Sequence, residues 1–177
     1  MVANEIERKF LVGNVPNIRF SWEKVEIIQF YTRPRPDNFR IRCVTHLDGR
    51  REYEQTLKVT PDPEDPTVRL ECNVPLRAKE YKALAGIARR WIFKERYLVP
   101  LENGLTAYLD VFKGDLEGLR WVEVEFASKE QRDAFVRPWW IRHDISLQEW
   151  ASNAYVAGRR FKHIAKHIAG LRSHGSV

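Results

Sequence analysis

Residues Glu5-Ile-Glu-Arg-Lys-Phe-Leu-Val12 set Glu5, Glu7 and Lys9 two positions apart. On an extended strand, side chains two apart share a face, so these three charges point the same way and the residues between them point the other. The spacing recurs with Arg40 and Arg42, with Lys94 and Arg96, and with Glu123 and Glu125, each pair interleaved with apolar or aromatic residues. Lys58, Glu71 and Asp110 stand singly in similar settings, Asp110 within Tyr108-Leu-Asp-Val-Phe112. One such pair is the solvated face of a half-buried sheet. Repetition over six or more strands suggests instead that the charged faces converge on the inside of a barrel. Val122, Val124 and Phe126 then cover the outside, as Phe93, Glu95 and Tyr97 do less cleanly.

Working outward, short alternating stretches bounded by turn chemistry predict strands at 5–12, 26–32, 39–46, 52–59, 67–74, 91–100, 105–112 and 120–126, about eight in all. Asp48-Gly49 and Asn103-Gly104 mark hairpins. Arg33-Pro-Arg-Pro-Asp-Asn38 and Pro61-Asp-Pro-Glu-Asp-Pro66 read as loops, because closely spaced prolines lack the donors of a sheet ladder. Helices are fewer. Arg77 to Arg90 carries Tyr81, Leu84, Ala85 and Ala88 on one face, Ser128-Lys-Glu-Gln131 has capping-box spacing, and Ser146-Leu-Gln-Glu149 repeats it before a long C-terminal helix. The pattern is α+β, built on an antiparallel sheet or barrel.

The 177 residues fit one domain spanning 1–177, with a barrel core at about 4–153 and a basic C-terminal helix and tail at about 154–177. Apolar residues at 44% and charged residues at 31% exclude collagen-like and wholly disordered chains. No apolar run is long enough to span a membrane and the start lacks a secretory profile, so the expected address is cytoplasmic. Cys43 and Cys72 lie in apolar-alternating segments and are expected to be reduced. The net charge of +6 includes five cations in the stretch after Gly158, which contains no acid, leaving about +1 for the rest. The basic character belongs to a tail and argues against nucleic acid as a partner.

A barrel lumen of this kind would set Lys9, Arg40, Arg42, Lys58, Lys94 and Arg96 against Glu5, Glu7, Glu71, Asp110, Glu123 and Glu125. Buried and unfilled, such a set is costly unless paired or hydrated. Basic groups that hold a polyanion beside carboxylates that hold a hard divalent cation lead to phosphate plus magnesium.

At this point the chain resembles a known family. Glu5-Ile-Glu-Arg-Lys9 resembles the ExExK signature that opens the CYTH, or triphosphate tunnel metalloenzyme, family. Gln29-Phe-Tyr31, Arg40-Ile-Arg42, Thr56-Leu-Lys58, Lys94-Glu-Arg96, the hairpin from Leu109 to Phe126, and Asp144-Ile-Ser146 with Ser152-Asn153 resemble its later motifs in order. The resemblance implies an eight-stranded antiparallel β-barrel, the triphosphate tunnel, with flanking helices and a C-terminal helix. It implies that Lys9, Arg40, Arg42, Lys58, Lys94 and Arg96, with Glu71, contact substrate. It also implies that Glu5, Glu7, Asp110, Glu123 and Glu125 hold Mg2+ or Mn2+, and that Lys9 with Tyr31 forms a proton-handling dyad joined by a hydrogen bond. Two departures stand out: Asn73 replaces the last acid of Arg-x-Glu-x-Glu, and Phe30 replaces a glycine, altering the packing outside the second strand.

The activity so implied is hydrolysis of inorganic tripolyphosphate to pyrophosphate and phosphate. A class IV-type adenylyl cyclase, a thiamine or nucleoside triphosphatase, and a non-catalytic polyanion-binding module are the rivals. The expected partner is a triphosphate-bearing small molecule, with a homodimer left open. Smaller signals point to ordinary structure. His163 and His167 lack the glutamate of a zinc hydrolase helix, Trp139 and Trp140 read as packing, and Gly114 and Gly118 read as turn residues. Ala151, Ala154, Tyr155, Val156 and Phe161 suggest that the C-terminal helix caps or crosses one tunnel mouth.

Overall fold

The computed structural model describes residues 2–13, 22–32 and 39–173. The expected loop Arg33 to Asn38 and the Gly175-Ser176 tip lie outside the described residues. Eight antiparallel strands close on themselves: β1 (Val2–Val12), β2 (Glu23–Tyr31), β3 (Phe39–His46), β4 (Arg51–Val59), β5 (Val68–Pro75), β6 (Arg90–Pro100), β7 (Thr106–Phe112) and β8 (Arg120–Glu125). Around the barrel the order is β1, β5, β4, β3, β2, β6, β7 and β8, with β8 returning to β1. Closure leaves no free edge among these eight.

Register places the charges inside. Lys9 lies opposite Glu123, Glu5 opposite Arg69, Lys58 opposite Glu71, Arg96 opposite Asp110, and Arg42 opposite Glu54. A slip of one residue would turn a whole strand inside out, so the apolar outer face and the paired inner face jointly fix this alignment. Outside β1, β7 and β8, the buried Phe10, Leu109, Val122 and Val124 pack beneath Phe126, Phe135, Trp140 and Ile141. Trp140 therefore packs as expected, whereas Trp139 is exposed.

A ninth strand, β9 (Ile141–Asp144), was not legible in the sequence: it is four residues long and pairs irregularly with β1 through Phe10 and Val12. The helix α1 (Ala78–Ala85) is shorter than the expected 77–90, because Gly86 ends it and the chain turns into β6 at Arg90. Its Tyr81 ring meets Phe30 at 5.5 Å and Tyr53 at 4.8 Å. Phe30, fully buried and 4.7 Å from Trp91, fills the outer face of β2 as the sequence suggested. Ser128 caps α2 (Lys129–Asp133), its Oγ accepting from Gln131 N–H at 3.2 Å.

The largest correction is at Ser146, which starts no helix. Its Oγ accepts from the Lys9 backbone N–H at 2.9 Å and donates to Asp144 at 2.5 Å, lashing this segment to β1. Helix begins later, at α3 (Asn153–Val156), where Ser152 Oγ accepts from Tyr155 N–H at 3.1 Å. Gly158 at φ +71° then breaks the chain before α4 (Phe161–Ser173). Both cysteines are free, Cys43 buried and Cys72 half-buried.

Candidate active site: a charged tunnel closed at one end

On five strands the inward face runs from a polar or charged residue to an apolar or aromatic one in the same direction. Lys9 leads to Leu11, Gln29 to Tyr31, Lys94 to Ile92, Asp110 to Phe112 and Glu123 to Trp121. The apolar members are buried together with Ile145, Trp150, Ala151, Ala154, Val156 and Ile164. The barrel is thus stoppered at one end by the segment after β9, with the charged layer just beneath. His167 joins the outside of this stopper, stacked 5.7 Å from Trp150 and bonded to Tyr155 through Nε2 at 3.3 Å.

A cavity of about 260 Å³ opens in the charged layer, lined by Lys9, Tyr31, Arg40, Lys58, Arg69 and Asn153. Its walls are held by crossed ion pairs. Lys58 Nζ donates to Glu5 at 2.6 and 2.8 Å and lies 3.4 Å from Glu71, which also pairs with Arg40 at 3.2 Å. Arg69 pairs with Glu7 at 3.1 Å. Lys9 Nζ lies 3.1 Å from Glu123 and 4.0 Å from Glu7, and donates to the Ala151 carbonyl at 3.0 Å. Arg42 pairs with Glu54 at 2.9 Å. Tyr31 faces the same cavity as Lys9, and its hydroxyl accepts from Gln29 Nε2 at 2.7 Å. The bond expected between them is replaced, for Lys9, by Glu123 and the Ala151 carbonyl.

Deeper in the wall, Asp110 is fully buried. It accepts from Arg96 Nε at 2.7 Å and Nη2 at 2.8 Å, from Lys94 Nζ at 2.6 Å, and from Trp121 Nε1 at 3.1 Å. Arg96 also pairs with Glu123, and Lys94 reaches Asn153 Oδ1 at 3.3 Å. Burial opposes charge on Arg96, but Asp110 and Glu123 overcome it and hold its pKa well above the ordinary value. Burial lowers Lys94 to about 8 against the pull of Asp110. Burial likewise penalises Glu123, yet Lys9, Arg96, Lys94 and Lys58 keep its pKa well below the usual carboxylate range. For Arg42, burial and then the neighbouring Arg40 lower the pKa.

Two features show that the set is not self-satisfied. Among the described residues, Arg40 Nε and Arg42 Nε are buried without a hydrogen-bond partner. Glu125, at the rim, has its pKa raised by lost hydration and then by Glu5 and Glu7. Clustered oxygen donors that repel one another suit a hard divalent cation. Among the described residues no three acidic, His or Cys side chains form a ready cage, and Glu5, Glu7 and Glu123 each pair with a cation. The donors are the hard oxygens a divalent ion would take.

The barrel brings every residue of the expected set to its inner wall. Sequence reasoning gave no role to Arg69, Glu54, Gln29, Thr56 or Asn153. Arg69 was detectable from its two-residue spacing to Glu71. Asn73 also lies inside, where Thr56 Oγ1 donates to its Oδ1 at 2.7 Å.

An eight-stranded closed barrel with this lumen defines a polyanion tunnel. No model of a known protein family matches the chain. An inorganic triphosphatase of Nitrosomonas europaea is 32% identical over 154 residues, covering 86% of this chain and 96% of that protein. The chain belongs to the inorganic triphosphatase family. The crystal structure of the inorganic triphosphatase NE1496 matches with a TM-score of 0.61 and 29% identity, over 86% of this chain and 93% of that one. The PH1819 protein from Pyrococcus horikoshii shares the fold, with a TM-score of 0.52 and 22% identity over 73% of this chain and 81% of that one.

Proposed function

We propose that the protein hydrolyses inorganic tripolyphosphate to pyrophosphate and phosphate, as a triphosphate tunnel metalloenzyme of the CYTH type using Mg2+ or Mn2+. The observation that carries this reading is the small cavity lined by Lys9, Arg40, Lys58 and Arg69, with the Arg40 and Arg42 Nε donors still unspent. At about 260 Å³ it lies below the roughly 300–1,000 Å³ of pockets that engulf drug-sized ligands. That size suits a bare phosphate chain better than a nucleotide taken in whole.

Lys9, Arg40, Arg42 and Lys58 bind phosphoryl oxygens and neutralise the charge that builds as the terminal phosphorus is displaced, so catalysis is mainly positioning and electrostatics. Glu5, Glu7, Glu123 and Glu125 would hold the divalent cation, which would supply Lewis-acid charge neutralisation when bound. Asp110 is better read as the anchor that aims Lys94 and Arg96 than as a metal ligand, since both its oxygens already accept from protein donors. Substrate drawn between the ion pairs frees Lys9 Nζ from Glu123; once the amine has released one of its own protons to solvent, its lone pair takes a proton from the attacking water. Tyr31, whose oxygen accepts from Gln29 Nε2, lines the same cavity beside Lys9.

The test is phosphate release from tripolyphosphate, ATP and thiamine triphosphate with magnesium or manganese, with cyclic AMP measured alongside. Turnover fastest on tripolyphosphate is expected. Tight binding with no release from any of the three would make the chain a polyanion-binding module, and cyclic AMP from ATP would make it a cyclase.

A further inference from the structure

A second cavity, about 650 Å³, runs along the outside of the barrel and shares no lining residue with the 260 Å³ cavity. It runs along β6 between the turn at 113–116 and the Gly158-Arg159 bend. Two features set its chemistry. The first is aromatic: Trp91 and Phe93 sit on the outward face of β6 with rings 11° from parallel and centroids 6.3 Å apart, and Phe93 is 48% exposed. With about half of its surface open, Phe93 presents a flat apolar face to the cleft.

The second feature is charge. Arg89, Arg90, Lys113 and Arg159 line the cavity against Asp115. Among the described residues neither Arg89 nor Arg159 pairs with a carboxylate. The exposed Arg89 side chain donates to the Ala88 carbonyl, while the Arg159 guanidinium lies over the Tyr155 ring at 4.0 Å and donates to the Tyr155 carbonyl. Asp115 faces Arg160, and Glu95 beside the platform is neutralised by Lys24 at 2.8 Å and Lys113 at 2.7 Å. The cleft is therefore net cationic around an aromatic face.

We propose that this cleft binds a nucleoside monophosphate, its base stacked on Phe93 beside Trp91 and its phosphate held by Arg89 and Arg159. Stacking on an aromatic side chain tolerates any base, and guanidinium groups match phosphate oxygens in a planar fork. The cavity volume falls within the range of small-molecule sites. The site does not depend on the triphosphatase reading, because it uses none of the tunnel residues.

Calorimetric titration of the full chain with AMP tests it, with orthophosphate as a second probe. Saturable 1:1 binding is expected, weakened at least tenfold by Phe93→Leu, which keeps apolar bulk but removes the flat face, and several-fold by Arg89→Ala. Both side chains are solvent-facing, and unchanged melting curves will verify that the variants fold. The tunnel variant Arg40→Ala should leave AMP binding intact. No saturation at millimolar AMP, equal affinity for AMP and orthophosphate, or loss of AMP binding in Arg40→Ala with Phe93→Leu unaffected would each overturn the proposal.

Discussion

Asp110→Asn is the most informative substitution in the tunnel wall. It keeps the shape of the side chain and its place beside Trp121, but removes the charge facing Lys94 and Arg96, both deep in the wall. Removing one partner of a buried ion pair costs about 3–5 kcal/mol, because the surviving charge is left without compensation. For a chain of this length about 1 kcal/mol moves the melting temperature by roughly 2–4 °C, so a fall on the order of 10 °C is expected. The loss should depend on pH. Lys94 has a folded pKa of about 8 against an ordinary 10.5. Between those values the unfolded chain holds a proton that the folded one lacks, so this group's contribution to stability rises with pH. Above pH 8 Lys94 is largely neutral in the folded protein and needs Asp110 less, so the gap between wild type and variant should be wider at pH 7 than at pH 9. Differential scanning fluorimetry in metal-free buffer at the two pH values measures it. A shift under about 2 °C at pH 7, or a loss that emerges only with magnesium or manganese present, would refute the anchor role and return Asp110 to the metal ligands.

Three further outcomes follow from the same geometry. Glu125→Gln removes a carboxylate whose pKa is raised by lost hydration and by Glu5 and Glu7, a repulsion that costs stability as pH rises through that pKa; at neutral pH without metal the variant should melt no lower than wild type, and its stabilisation by magnesium or manganese should shrink. Lys9→Met should lower kcat on tripolyphosphate by about 10²–10⁴, the range for a lost general base, with the larger change in kcat rather than KM. Tyr31→Phe should slow turnover less, and full turnover in either variant would remove the proposed proton-handling role.

The barrel was legible because its walls obey a period of two. Glu5, Glu7 and Lys9, Lys94 and Arg96, and Glu123 and Glu125 each announce an inner face by spacing alone, and Asp-Gly and Asn-Gly mark the hairpins. The misses share one cause, which is that local signals compete with tertiary partners. Ser146 has the spacing of a helix cap, but the Lys9 backbone N–H captures its hydroxyl and the helix starts after Ser152. β9 forms because β1 offers free backbone groups at Phe10 and Val12, not because Ile141–Asp144 carries a strong strand pattern.

What the linear chain determined unaided was the class of chemistry: charges repeated on one face of many strands had to be gathered around a polar ligand or turned to water. Which of the two, and who pairs with whom, was decided only when β5 closed on β1 and β8 met it from the other side. Alternation specifies the face of each strand but not its neighbour across the barrel. Hence the division between Asp110, saturated by Lys94 and Arg96, and Glu125, repelled by Glu5 and Glu7, is a property of through-space distance that no sequence spacing encodes.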